Sequence, residues 1–250
     1  MKATRGLMSL TGILLGLTLT LDAAEVTVIS GGAVEPGLRA AAAAFEKETG
    51  HSVRLTFNTT PQIREQLSLA VAFDVVIAPP AVVTEFSKSG TVERGGVDLG
   101  SVGSGVAVRP GAPVPAIATP DDIRRAVLEA DSVVFNRAST GLYFENLLKK
   151  MGVWDQVEPK TTRYATGGEV MKHALKGTGR EVAFGPITEI LLEKDHGLVF
   201  VGPLPPEIQN YTSYVATPTR AGVGKEAAQS LVAFLGGPVA KALFAAAGIQ

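Results

Sequence analysis

Short apolar runs alternate with helical stretches through the first third of the chain. Val26–Ser30, Val53–Asn58 and Asp74–Pro79 are rich in β-branched residues and bounded by Gly, Asn or Pro, so each reads as a strand. Between the first two, Pro36–Thr49 sets Leu38, Ala41, Ala42 and Phe45 at helical spacing and stops at Gly50. Pro61–Ala70 follows with Ile63, Leu67 and Ala70 on one face. The β-α-β-α-β order predicts a parallel sheet with crossover helices.

The pattern then loosens. Gly95-Gly96 and Gly100–Gly105 interrupt it before a strand at Val106–Val108, and Pro110–Pro115 is a loop that opens a second unit. In that unit Thr119 caps a helix that starts with Pro120 and runs to Ala130. Ser132–Asn136 is a strand, Gly141–Met151 and Gly168–Lys176 are helices, and Val182–Phe184 and Leu198–Val201 are short strands. Tyr211–Thr217 again alternates like a strand, and Gly224–Leu235 and Pro238–Ala247 close the chain as Ala- and Leu-rich helices. These elements predict an α/β protein of two lobes, each a mainly parallel sheet flanked by helices. The first lobe is expected to be discontinuous, from residues 25–104 and 212–250, and the second to span 105–211. The chain would cross near Ser101–Val108 and return near Asn210–Thr217, two crossings that suit a hinge closing on a ligand.

Composition narrows the setting. The chain has 250 residues, 46% of them hydrophobic and 19% charged, which supplies a core and excludes disorder. A formal net charge of −1 gives no general attraction to nucleic acid or to an anionic membrane. Lys2 and Arg5 precede an uncharged run from Gly6 to Leu21, and Ala23-Ala24 follow it, the order of a cleavable signal peptide over residues 1–24. With no cysteine there is neither a disulfide nor the acylated thiol of a lipoprotein. A periplasmic, unanchored monomer without a cofactor is expected.

Four of the helices open alike. Ser30-Gly31-Gly32-Ala33 leads into the helix at Pro36, and Asn58-Thr59-Thr60 into the helix at Pro61. Ser139-Thr140-Gly141 and Thr166-Gly167-Gly168 lead into the third and fourth. Each turn is small or hydroxyl-bearing and ends a strand or loop. Helix starts expose unpaired backbone N–H groups at the positive end of the helix dipole, and glycine lets a ligand approach them. At the carboxyl edge of an open α/β sheet, two such turns from each lobe would face one another around an anion. Ordinary helix capping accounts for any one of them taken alone. Arg137, just before the third turn, is a candidate clamp for a carboxylate or other oxyanion. Glu169, beside the fourth, fits an anion site only if it turns away to cap its own helix.

These residues resemble a known family. Val26–Ala33, Ala44–Gly50, Asp74–Ala78, Gly141-Leu142-Tyr143, Leu147–Asp155 and Ala233-Phe234-Leu235 look like the molybdate-binding proteins of ABC importers, in family order along essentially the whole mature chain. The resemblance implies a two-lobed type II periplasmic binding fold that hands a tetrahedral oxyanion to an inner-membrane permease. Its ligand contacts, carried over by position, fall on Ala33 in place of a serine, on Thr60, on Thr140, and at Gly168 or toward Val170. The family's ligand-facing tyrosine falls on Pro186, so two hydroxyl donors are lost. Gly202–Thr212 marks a divergent branch, which leaves a small organic carboxylate open as the ligand beside a molybdate- or tungstate-like ion.

An enzyme requires a nucleophile with its base, a carboxylate pair or a metal. His51, His173 and His196 show no metal-ligand spacing, and no Gly-x-Ser-x-Gly elbow occurs. Gly177-x-Gly179 follows a helix and is a poor dinucleotide signal. An effector-sensing role would need a basic helix-turn-helix where the leader stands. A binding protein is therefore expected, with no catalytic residue.

Overall fold

A computed structural model describes residues 23–250; the segment read as a signal peptide lies almost wholly outside the described residues. The first sheet is built from β1 (Glu25–Gly31), α1 (Glu35–Thr49), β2 (Ser52–Asn58), α2 (Thr60–Ser68), β3 (Val75–Ala78) and α3 (Pro80–Ser87). Strands β2, β1 and β3 pair in parallel, as the alternation demanded. Both faces of this sheet are buried. Val26 and Val28 of β1 pack with Leu38 and Phe45 of α1, whereas Ile29 points the other way to Ile63, Leu67 and Val82. A strand buried on both sides needs helices on both sides, which explains the near-continuous apolar run.

The glycine-rich stretch is the main departure from the expected order. Residues Val97–Val108 form one long strand, β4, that serves two sheets. Its first half pairs antiparallel with β9 (Tyr211–Pro218), which in turn borders β3. From Ser104 onward it pairs with β7 (Glu181–Pro186) and β8 (Val199–Pro203). The glycines are tolerated because neighbouring chains come close; a Cβ at Gly105 would sit 2.9 Å from both Ile187 and Phe200.

The second sheet adds β5 (Ser132–Asn136) and β6 (Thr161–Tyr164), parallel to one another, with β5 parallel to β7. Its helices are α4 (Pro120–Glu129), α5 (Ser139–Lys150), α6 (Trp154–Val157), α7 (Gly167–Lys176) and α8 (Ile187–Leu192). Phe135, Phe144 and Phe184 pack in its core, Phe135 edge-on to Phe144 and the last two rings stacked 3.6 Å apart. Helices α9 (Glu226–Leu235) and α10 (Pro238–Ala246) return to the first sheet through Leu231, Leu235 and Phe244. The predicted two-lobed α/β plan is present. Four regular elements were not foreseen: α3, α6, β6 and α8.

Candidate functional site

Four chain turns at the carboxyl ends of β1, β2, β5 and β6 converge on one cleft of about 290 Å³. Gly31 to Ala33, Asn58 to Thr60, Ala138 to Thr140 and Thr166 to Gly168 all line it. Each turn has a local cause. After β5, the buried Asn136 accepts the amides of Ala138 and Gly141 on its side-chain oxygen at 3.0 and 2.9 Å. Gly141 is required there, since a Cβ would lie 1.8 Å from the Asn136 carbonyl oxygen. Those bonds leave the amides and hydroxyls of Ser139 and Thr140 without a partner among the described residues. After β2, Thr59 spends its N–H and hydroxyl on Gln62 Oε1, both at 2.9 Å. The hydroxyl of Thr60, by contrast, meets no described acceptor.

At the fourth turn Glu169 caps its own helix: its carboxylate accepts the Thr166 amide at 2.9 Å, and its own amide bonds back to the Thr166 hydroxyl. It is thereby committed away from a ligand. Of the ten residues proposed from sequence, eight line the cleft: Gly32, Ala33, Asn58, Thr59, Thr60, Ser139, Thr140 and Gly168. The other two do not. Ser30 is fully buried in β1 and turns its hydroxyl to the Gly31 carbonyl at 3.1 Å. Arg137 is exposed; its amide joins Tyr164 at 2.8 Å, and the chain reaches the cleft only at Ala138. Its role as a clamp is withdrawn.

The cleft also contains residues that sequence patterns did not single out. Tyr214 of β9 is buried against the first turn and lines the cleft. Burial, and then the nearby Glu189, push its phenol above the usual tyrosine range, so it stays neutral. Lys172 of α7 stands at the rim and pairs with no described carboxylate. Four carboxylates line the space: Glu35, Glu169, Glu189 and Glu193. Three are occupied. Glu35 pairs with Arg39 at 2.7 Å, Glu169 caps α7, and Glu193 meets His196 at 2.7 Å.

Glu189 is different. It stands on α8 with its Oε2 sealed from solvent and without a hydrogen bond among the described residues. A Cβ at Gly167 would fall 1.6 Å from Oε2, and one at Gly32 would fall 3.1 Å from Oε1. The carboxyl is therefore lodged between a turn of one lobe and a turn of the other. Burial, with a smaller contribution from Glu35, pushes it up to about 7. One residue earlier, the Thr188 hydroxyl donates to the Ala33 carbonyl at 2.5 Å, tying α8 to the first lobe. A signal for α8 existed: Ile187, Ile190 and Leu191 recur at helical spacing after Pro186.

Residues 26–250 match the family described as bacterial extracellular solute-binding protein. The chain belongs to that family. Among curated relatives, this solute-binding protein is 28% identical over 237 residues to an aconitate isomerase from a Pseudomonas species, covering 91% of this chain and 89% of that one. Among solved structures, it superposes on the periplasmic molybdate-binding protein of Azotobacter vinelandii with a TM-score of 0.75, at 16% identity, over 90% of this chain and 98% of that one. The sulfate-binding protein of Mycobacterium tuberculosis gives a TM-score of 0.70 at 17% identity, over 91% and 86%. The likeness to molybdate-binding proteins read from the sequence is thus met at the level of the type II fold.

Proposed function

We propose that this solute-binding protein works in the periplasm as the capture component of an ABC importer, and that its guest is a small organic polycarboxylate. Residues 25–104 with 212–250 would form one moving half and residues 105–211 the other. The observation that carries the choice of guest is Glu189, a carboxyl that lines the cleft and has no partner among the described residues. A compact dianion such as molybdate would sit directly against it, and like charges that close repel strongly in a dry site. A polycarboxylate spreads its charges along a carbon frame. Its carboxylates can seat on separate helix starts while uncharged carbon lies beside Glu189.

The donors agree with this. Ala33 and Pro186 offer no hydroxyl for a tetrahedral ion. The curated relative acts, by its name, on a tricarboxylate, aconitate. The amides of the four turns, Lys172 and the Tyr214 phenol supply donors of the right kind.

Titration calorimetry on the purified mature protein tests the assignment, with cis- and trans-aconitate, citrate, molybdate, tungstate and sulfate as titrants. Binding of a polycarboxylate and indifference to molybdate is the expected result. Tight molybdate binding with no response to carboxylates would return the protein to the oxyanion class.

A further inference from the structure

We propose that Glu189 exchanges a proton with carbon in the bound guest, so that the cleft moves the double bond of an unsaturated polycarboxylate while holding it. The inference rests on the carboxylate reading above and adds an activity to it. Three of the cleft's four carboxylates are taken up by Arg39, Thr166 and His196, and the fourth is bare. Its Oε2 is sealed against Gly167 and bonds to nothing among the described residues, whereas Oε1, on the Gly32 side, is the oxygen left open to the space where a guest must lie. Only glycine fits at position 167, since any side chain there would displace the Oε2 atom.

The step balances within the guest. An ionised Glu189 oxygen takes a proton from the carbon that lies between a carboxylate and the double bond. The electron pair of that C–H bond becomes the new π bond, and the old π pair moves to the far carbon, with the charge shared by the flanking carboxylates. The Glu189 carboxyl then returns its proton to the far carbon, forming a C–H bond there and regenerating the carboxylate. Nothing is oxidised, and no second reactant enters. Amides at the helix starts sit where the spreading charge arrives. The ionisable groups around Glu189 are Glu35 of α1, Glu169 and Lys172 of α7, Glu193 at the end of its own helix and the neutral Tyr214 of β9. A carboxyl that titrates near neutrality serves as base and as acid in turn.

Proton NMR of the mature protein with trans-aconitate in D₂O near pH 7 tests this. Deuterium is expected to enter the methylene group and the cis isomer to appear. At saturating probe, Glu189→Gln should slow both by about 100-fold or more, while Arg137→Ala, outside the cleft, should exchange as the wild type does. Glu189→Asp should keep a reduced rate, which separates lost chemistry from lost folding. If calorimetry shows aconitate bound but neither deuterium enters nor the cis isomer appears, the proton transfer is refuted and the binding role stands. If Glu189→Gln exchanges at the wild-type rate, Glu189 is not the base. If no carboxylate binds at all, both proposals fall together.

Discussion

Asp74, which is buried, and Glu189, half-buried with one oxygen sealed from solvent, are two carboxyls that the protein treats in opposite ways. Asp74 sits in the first lobe, accepts the amide and hydroxyl of Thr27 at 2.9 Å each, and meets Lys225 Nζ at 2.6 Å. Burial alone would push it up, but Lys225 and Thr27 outweigh burial and hold it below the usual carboxylate range. Glu189 has the burial without the partners, and it moves the other way. The chain can wire a buried acid when the acid serves the fold. An acid left bare in a cleft lined by amides is placed for something outside the chain.

The contrast can be broken experimentally. The largest effect should come from Asp74→Ala, which strands the Thr27 amide and hydroxyl and frees Lys225. Urea denaturation should show a loss of about 3 kcal/mol, mainly from the two Thr27 donors left without an acceptor, since the Lys225 ammonium is half exposed and returns to water. Gly167→Ala should cost about 2 kcal/mol by forcing the Glu189 carboxyl aside. Most of that loss should vanish in the Gly167→Ala/Glu189→Ala double variant, and a double-mutant cycle that adds up instead would separate the two residues.

Glu189→Gln should act through pH. A carboxyl raised from its ordinary 4.5 to about 7 holds its proton more tightly in the folded state. Its contribution is therefore fully present below 4.5 and is lost as pH rises toward and past 7. The glutamine variant should escape that loss, so its stability relative to wild type should be higher at pH 8 than at pH 4. Paired denaturation curves at the two values check the sign. Smallest is Thr60→Ala, whose unpartnered hydroxyl predicts a drop in ligand affinity of about 1 kcal/mol, near fivefold, without a change in urea midpoint.

Much of this architecture is legible in the sequence. Strand β5 and helix α4 start where the apolar period and the Thr119 cap put them, because their local signals and their tertiary setting agree. The long β4 was hidden by its glycines, which read as a loop until the close approach of Ile187 and Phe200 is known. For the cleft, the four small turns were legible as turns, and backbone amides need no particular side chain. Arg137 misled because direction at a strand end depends on one residue of register, and the inward position belongs to Ala138. Glu189 was invisible for a different reason. One glutamate in a six-residue helix carries no pattern of its own, and its isolation is a property of everything packed around it.

The Thr188 bond to Ala33 gives the cleft a consequence beyond grip. Any parting of the halves that releases this bond also draws the adjacent Glu189 away from Gly32 and toward water. A hydrated glutamate ionises readily at neutral pH and, turned to water, no longer encloses the guest. Unlatching, loss of a proton and discharge of the cargo would then be successive moments of one motion.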